Sequence, residues 1–131
     1  TGAINVALMA AINGAENAEE AAYQFEALLG NTGGRQDQWA AKHGGFNHLM
    51  FIADSVEPLP FGPPRSARFW LHKHLVVANT GIPHVSGDLH DAIWAKYAEG
   101  DESTINGLMT IRLAAKKMAQ GLDQDRRDLV V

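Results

Sequence analysis

The run Gly33-Gly34-Arg35-Gln36-Asp37-Gln38-Trp39-Ala40-Ala41-Lys42-His43-Gly44-Gly45 holds the residues best suited to chemistry. A single acid, Asp37, lies between two glutamines, and a glycine pair closes the run at each end. Glycine pairs let the backbone turn tightly and approach a ligand closely. Gln38 to Lys42 is good helix-forming sequence, which predicts Asp37 at or just before a helix N-terminus. A carboxylate there is stabilised by unpaired backbone N–H groups and by the helix dipole. The amides of Gln36 and Gln38 each offer donors and an acceptor, as needed to read hydroxyl groups. The pattern suits orientation of a bound alcohol. It also suits an ordinary N-cap with polar neighbours.

Two predicted helices precede this run. Thr1 to Asn13 has Ile4, Leu8, Ala11 and Ile12 on one face, with Gly14 as a stop. Asn17 to Leu29 opens on a capping-box-like Asn17 and Glu20 pair, and it is expected to bury Ala21, Phe25, Leu28 and Leu29 before Gly30 ends it. Glu26 lies in the final turn of this helix, where its charge meets the negative end of the dipole. That placement calls for a reason; a solvated glutamate is the ordinary one. Gly30-Asn31-Thr32-Gly33-Gly34 then reads as a flexible loop.

Beyond Gly45, Phe46 to Ile52 reads as a strand, Asp54-Ser55 as a turn and Val56 to Leu59 as a possible partner strand. Pro60, Pro63 and Pro64 forbid regular structure. Phe69 to Ala78 is rich in β-branched and aromatic residues and is predicted as a strand. Its alternation sets Trp70, His72, His74 and Val76 on one face. A His-x-His pair on a strand suits a metal, but no third ligand can be assigned, so a polar, half-exposed face is preferred. Lys73, on the opposite face, marks an edge. Asn79-Thr80-Gly81-Ile82-Pro83-His84 is a turn able to bring a hydroxyl and N–H groups to a phosphate or sugar. Ser86 to Ala98 is predicted helical with Leu89, Ala92, Ile93 and Tyr97 inward. A last helix starts at Asp101 or Ser103, with Ile105, Leu108, Ile111, Ala115, Met118 and Leu122 inward and Arg112, Lys116 and Lys117 solvated.

The Gly33 to Gly45 run resembles the aspartate loop of the GHMP kinases. It is most similar to the branch that phosphorylates sugars at the anomeric position, the heptose 7-phosphate kinases and fucokinases. The resemblance extends from Thr1 to about Asp128. It implies an α+β fold, the central part of a two-lobed kinase, with helices packed on a small antiparallel sheet. Residues 1–60 would end the N-terminal lobe, with the phosphate-loop helix and the aspartate loop; residues 61–131 would begin the C-terminal lobe. The implied reaction is transfer of the γ-phosphoryl group of ATP to a sugar hydroxyl. The resemblance gives Asp37 the catalytic role, Glu26 the Mg2+ ion, and Gln36, Gln38, Thr80 and Gly81 the sugar or sugar phosphate. Thr1 and Gly2 would be the last residues of the loop that holds the ATP phosphates. Glu26 stands eleven positions before Asp37, the family spacing. Pro83 and His84 depart from the family's Thr-Gly-Ile-Thr/Ser-Arg segment, and a protonated His84 would have to stand in for the arginine. Because the earlier glycines of the phosphate loop and the C-terminal glycine-rich segment are missing, the chain is expected to be a piece of a longer one. A non-catalytic binding or assembly module on the same scaffold is the alternative. A hydrolase using the amine and hydroxyl of Thr1 is a further one, opposed by the helical sequence that follows.

Composition bounds these readings. The 131 residues suffice for a modest core, and 46% hydrophobic with 20% charged residues is ordinary for a soluble globular protein. The net charge of −4 argues against nucleic acid or an anionic membrane as the main partner. There is no cysteine, so no disulfide and no thiolate metal site is possible. That fits a cytoplasmic location without requiring it. No apolar run approaches the length of a membrane span.

Overall fold

The computed structural model describes residues 2–31, 33–81 and 86–131, with the side chains of residues 86–89 left aside. Thr1, Ile82, Pro83, His84 and Leu89 therefore lie outside what it describes. The fold is α+β: among the described residues there are six α-helices and one two-stranded antiparallel sheet. The chain divides into two compact units, Thr1–Pro60 and Phe61–Val131.

The first unit is a cluster of three helices followed by a hairpin. Helices α1 (Gly2–Asn13), α2 (Ala18–Leu28) and α3 (Gln36–His43) all pack on one another. Strands β1 (His48–Ile52) and β2 (Ser55–Leu59) pair from His48 opposite Leu59 to Ile52 opposite Ser55. Pro58 is tolerated because, among the described residues, β2 pairs on one side only. The helices pack chiefly on other helices, rather than on the sheet as expected.

The buried faces differ from those expected. In α1, Val6 is buried with Met9 and Ala10 partly buried beside it, while Ile4, Leu8 and Ile12 are exposed. In α2, Ala18, Ala22 and Glu26 are buried, while Leu28 and Leu29 are 86% and 72% exposed. Helix α1 is apolar nearly all round, so its pattern does not choose a face. Small residues decide: Ala18 and Ala22 let α1 and α2 approach closely, and the single mid-helix amide, Asn5, turns towards Glu26. The expected capping box also fails. Asn17 is left-handed (φ 55°) and makes no side-chain cap, and Glu20 turns to Arg35 instead.

The second unit holds α4 (Arg65–His74), α5 (Ser86–Ala98), α6 (Glu102–Asp123) and a 3-10 turn at Arg127–Leu129. Helix α4 overturns the strand expected over Phe69 to Ala78. Pro64, extended at φ −62° and ψ 159°, starts it. Buried Ala67 and half-buried Trp70 and Leu71 then follow helical spacing. This period outweighs the β propensity of the aromatic residues. His72 and His74 are thus two apart on a helix and do not share a face. His74 instead bonds the Trp70 carbonyl through Nδ1 (2.7 Å) and stacks on its ring. Helix α6 buries Leu122 and half-buries Ile105 and Leu108, but Ile111, Ala115 and Met118 are exposed; in α5, Ile93 is half-buried and Ala92 and Tyr97 are exposed.

Two measurements check this packing. In chemical denaturation, Ala22→Leu should cost about 1–3 kcal/mol by overpacking, while Leu28→Ala should stay within about 0.5 kcal/mol. The second concerns the cap of α6, where Asp101 accepts from Thr104 N (2.7 Å). The hydrogen bond from Thr104 lowers the Asp101 pKa below its ordinary value. The cap therefore acts fully above the ordinary carboxylate value and is lost as pH falls through the lowered one. A pH series of unfolding curves should show that acid-side loss in the native chain and a smaller one in Asp101→Asn.

Candidate functional site

Two helix amino ends meet around Asp37. It lies in the first turn of α3, exposed, and it adjoins Gly2, the first described residue of α1. A Cβ placed on Gly2 would lie 3.2 Å from Cβ of Asp37 and 3.8 Å from the Gln38 nitrogen, so this approach is close. The first turn of α1 holds no acid of its own. The amino ends of α1 and α3 thus lie close together, and a helix amino end favours anions.

The neighbours of Asp37 point differently. Gln36 is exposed and folds back over Gly34, where an added Cβ would collide with Oε1 of Gln36. Gln38 is only 3% exposed and donates from Nε2 to Oε2 of Glu26 (3.0 Å). Trp39, 8% exposed, anchors α3 beside it. The two glutamines flanking Asp37 are therefore not equivalent: one faces solvent and the other the interior.

Glu26 is 8% exposed and accepts from three amides: Asn5 on Oε1 (2.7 Å), and Asn31 (3.2 Å) and Gln38 (3.0 Å) on Oε2. The awkward position of this acid at the end of α2 thus has a local reason. Among the described residues no Lys, Arg or His forms an ion pair with it. A carboxylate offers about four acceptor positions, and three are filled, leaving one on Oε1. The buried Oε1 of Gln38 also has no partner.

Charged clamps fasten α3 to α2. Arg35 donates to Glu20 from Nε (3.2 Å) and lies over the Tyr23 ring (4.1 Å). The hydrogen bond to Glu20 raises the Arg35 pKa above its ordinary value. Lys42 reaches the Ala15 carbonyl and approaches Glu19 (3.8 Å). Sequence reasoning gave no role to Asn5, Asn31, Arg35 or Lys42. Asn5 carried a signal, as the one polar side chain inside an apolar helix. In the second unit Thr80 is exposed, and Gly81 (φ 69°) donates its N–H to Asn79 Oδ1 (2.8 Å). That N–H is already engaged within the turn.

Comparison with models of protein families, with curated proteins and with solved structures finds no match. The chemistry of the site rests on its own geometry. Among the described residues no group of three His, Cys, Asp or Glu side chains could hold a metal ion. Magnesium in phosphate-handling sites commonly uses one or two carboxylates together with waters and substrate phosphates. Glu26 is enclosed and its carboxylate is already taken by three amide donors, so the described residues do not by themselves form such a site.

The close approach at Gly2 gives a test. Gly2→Leu should push Asp37 away from α1 and lower the stability of the chain by about 1–3 kcal/mol, whereas Gly62→Ala, with open space around it and no left-handed backbone, should leave the Asp37 resonances unmoved. Carbon-detected NMR of the Asp37 side chain together with denaturation reads both.

Proposed function

We propose that this chain is part of an ATP-dependent sugar kinase of the GHMP type, with Asp37 as the residue that meets the sugar hydroxyl. One observation carries the reading: Asp37 sits beside the amino end of α1, where backbone N–H groups are available to phosphates. In this reading a sugar oxygen bonds to the γ-phosphorus as the bond from that phosphorus to the ADP leaving oxygen breaks. The hydroxyl proton passes towards Asp37. Asp37 serves mainly to orient the hydroxyl and place charge. Gln36, exposed on the same turn, is the amide available to the sugar; Thr80 and Gly81 are the further contacts that the resemblance implies. Gly2, with Thr1 before it, supports the ATP phosphates.

Glu26 is the residue that the resemblance gives to Mg2+. The ion neutralises phosphate charge when bound. The reading as part of a longer protein draws support from uncovered apolar surface. Ile4, Leu8 and Ile12 form an exposed stripe on α1, and Leu75, Val76 and Val77 are exposed after α4 without a sheet partner among the described residues. Such surfaces ask for cover by more polypeptide.

The test is ADP release over a panel of sugars, in a chain that also carries a Gly/Ser-rich phosphate loop. Asp37→Asn should lower turnover about a hundredfold or more while ATP binding persists. Retained turnover would remove Asp37 from the reaction. Calorimetry on the 131 residues alone should show weak Mg-ATP binding; tight binding would count against the partial-chain reading.

A further inference from the structure

We propose that Glu26 is a positioning residue: through Gln38, and together with Asn5, it fixes where Asp37 stands against the amino end of α1. The placement rests on geometry; only its catalytic purpose rests on the kinase reading. Glu26 draws donors from three separate segments, namely α1 by Asn5, the loop before α3 by Asn31, and α3 itself by Gln38. Gln38 directly follows Asp37. Once Gln38 and Trp39 are held inward, the helix turn leaves Asp37 outward, on the side of Gly2. Asn5 ties α1 to the same carboxylate, so both partners of the Gly2–Asp37 approach are located by one side chain.

The side-chain type matters. Ionised, a carboxylate is acceptor-only on both oxygens, whereas a glutamine has one acceptor oxygen and an NH2 group. Glu26→Gln keeps the shape but turns a donor towards donors, so the half-buried Asn5 amide or the buried Gln38 amide loses its acceptor. The network is therefore more sensitive to this exchange than simple packing would be.

The chain has no cysteine, so a Gly2→Cys, Asp37→Cys pair supplies its only thiols. The 3.2 Å approach is a little shorter than the Cβ separations that disulfides use, about 3.5–4.5 Å, so a small outward shift brings the pair into range. The measurement is the effective concentration of the two thiols, from their equilibrium with a glutathione redox buffer. Adding Glu26→Gln should lower it about tenfold or more. The exchange Glu26→Gln with Gln38→Glu restores a carboxylate–amide pair in the opposite sense and should recover most of the loss. Val6→Ala, which weakens the same helix cluster outside the network, should leave the value unchanged. An unchanged value in Glu26→Gln, or an equal loss in Val6→Ala, would overturn the proposal. If Glu26→Gln fails to fold by circular dichroism, Asn5→Ala takes its place; a lowered value supports the proposal and an unchanged one overturns it. The readout involves no phosphoryl transfer, so failure of the kinase reading, seen as retained turnover in Asp37→Asn, is separately visible.

Discussion

A buried carboxylate without a cation must be satisfied by hydrogen bonds, and the first unit is built around that requirement. Glu26 meets it with amides from Asn5, Asn31 and Gln38. Few large apolar side chains are fully enclosed in this unit, and its core is largely alanine and valine with one tryptophan. A polar network at the meeting point of three helices therefore carries much of the specificity of their arrangement. Nonpolar contacts bring α1 and α2 together; the amide collar decides how α1 is rotated and where α3 begins.

That arrangement links structure to chemistry. Asp37 is free to meet a ligand because its neighbour Gln38 is committed inward. The clamps Arg35–Glu20 and Lys42–Glu19 hold the same helix from the solvent side. Both pairs are partly buried. They tie the start and the end of α3 to α2. The acid thus stands on a fastened helix beside a second helix end, which is the kind of preorganised placement a phosphoryl-transfer site needs.

The sequence made several of these features legible and hid others. The short helix after Asp37 followed from Gln38 to Lys42 and the oddity of Glu26 from the helix dipole; the hairpin was expected, but its turn is Ala53-Asp54 and Ser55 already opens β2. The face of α1 was hidden because apolar residues surround that helix; only Asn5 distinguished one side, and its partner lies across a tertiary contact. The face of α2 was misread because large leucines drew attention away from Ala18 and Ala22, whose smallness suits close helix contact. Helix α4 was misread as a strand because His72, His74 and the aromatic residues suggested alternation, while Pro64 and Ala67 marked a helix start and its inner face. The different fates of Gln36 and Gln38 depend on helix phase, which residue type does not reveal.

The most direct measurement is a nuclear Overhauser spectrum of the labelled protein, read for contact between the Gly2 α-protons and the Asp37 β-protons. The account predicts that cross-peak, together with slowly exchanging side-chain amide protons on Asn5 and Gln38. Absence of the cross-peak in a folded chain, with those amides exchanging as freely as exposed ones, would contradict it.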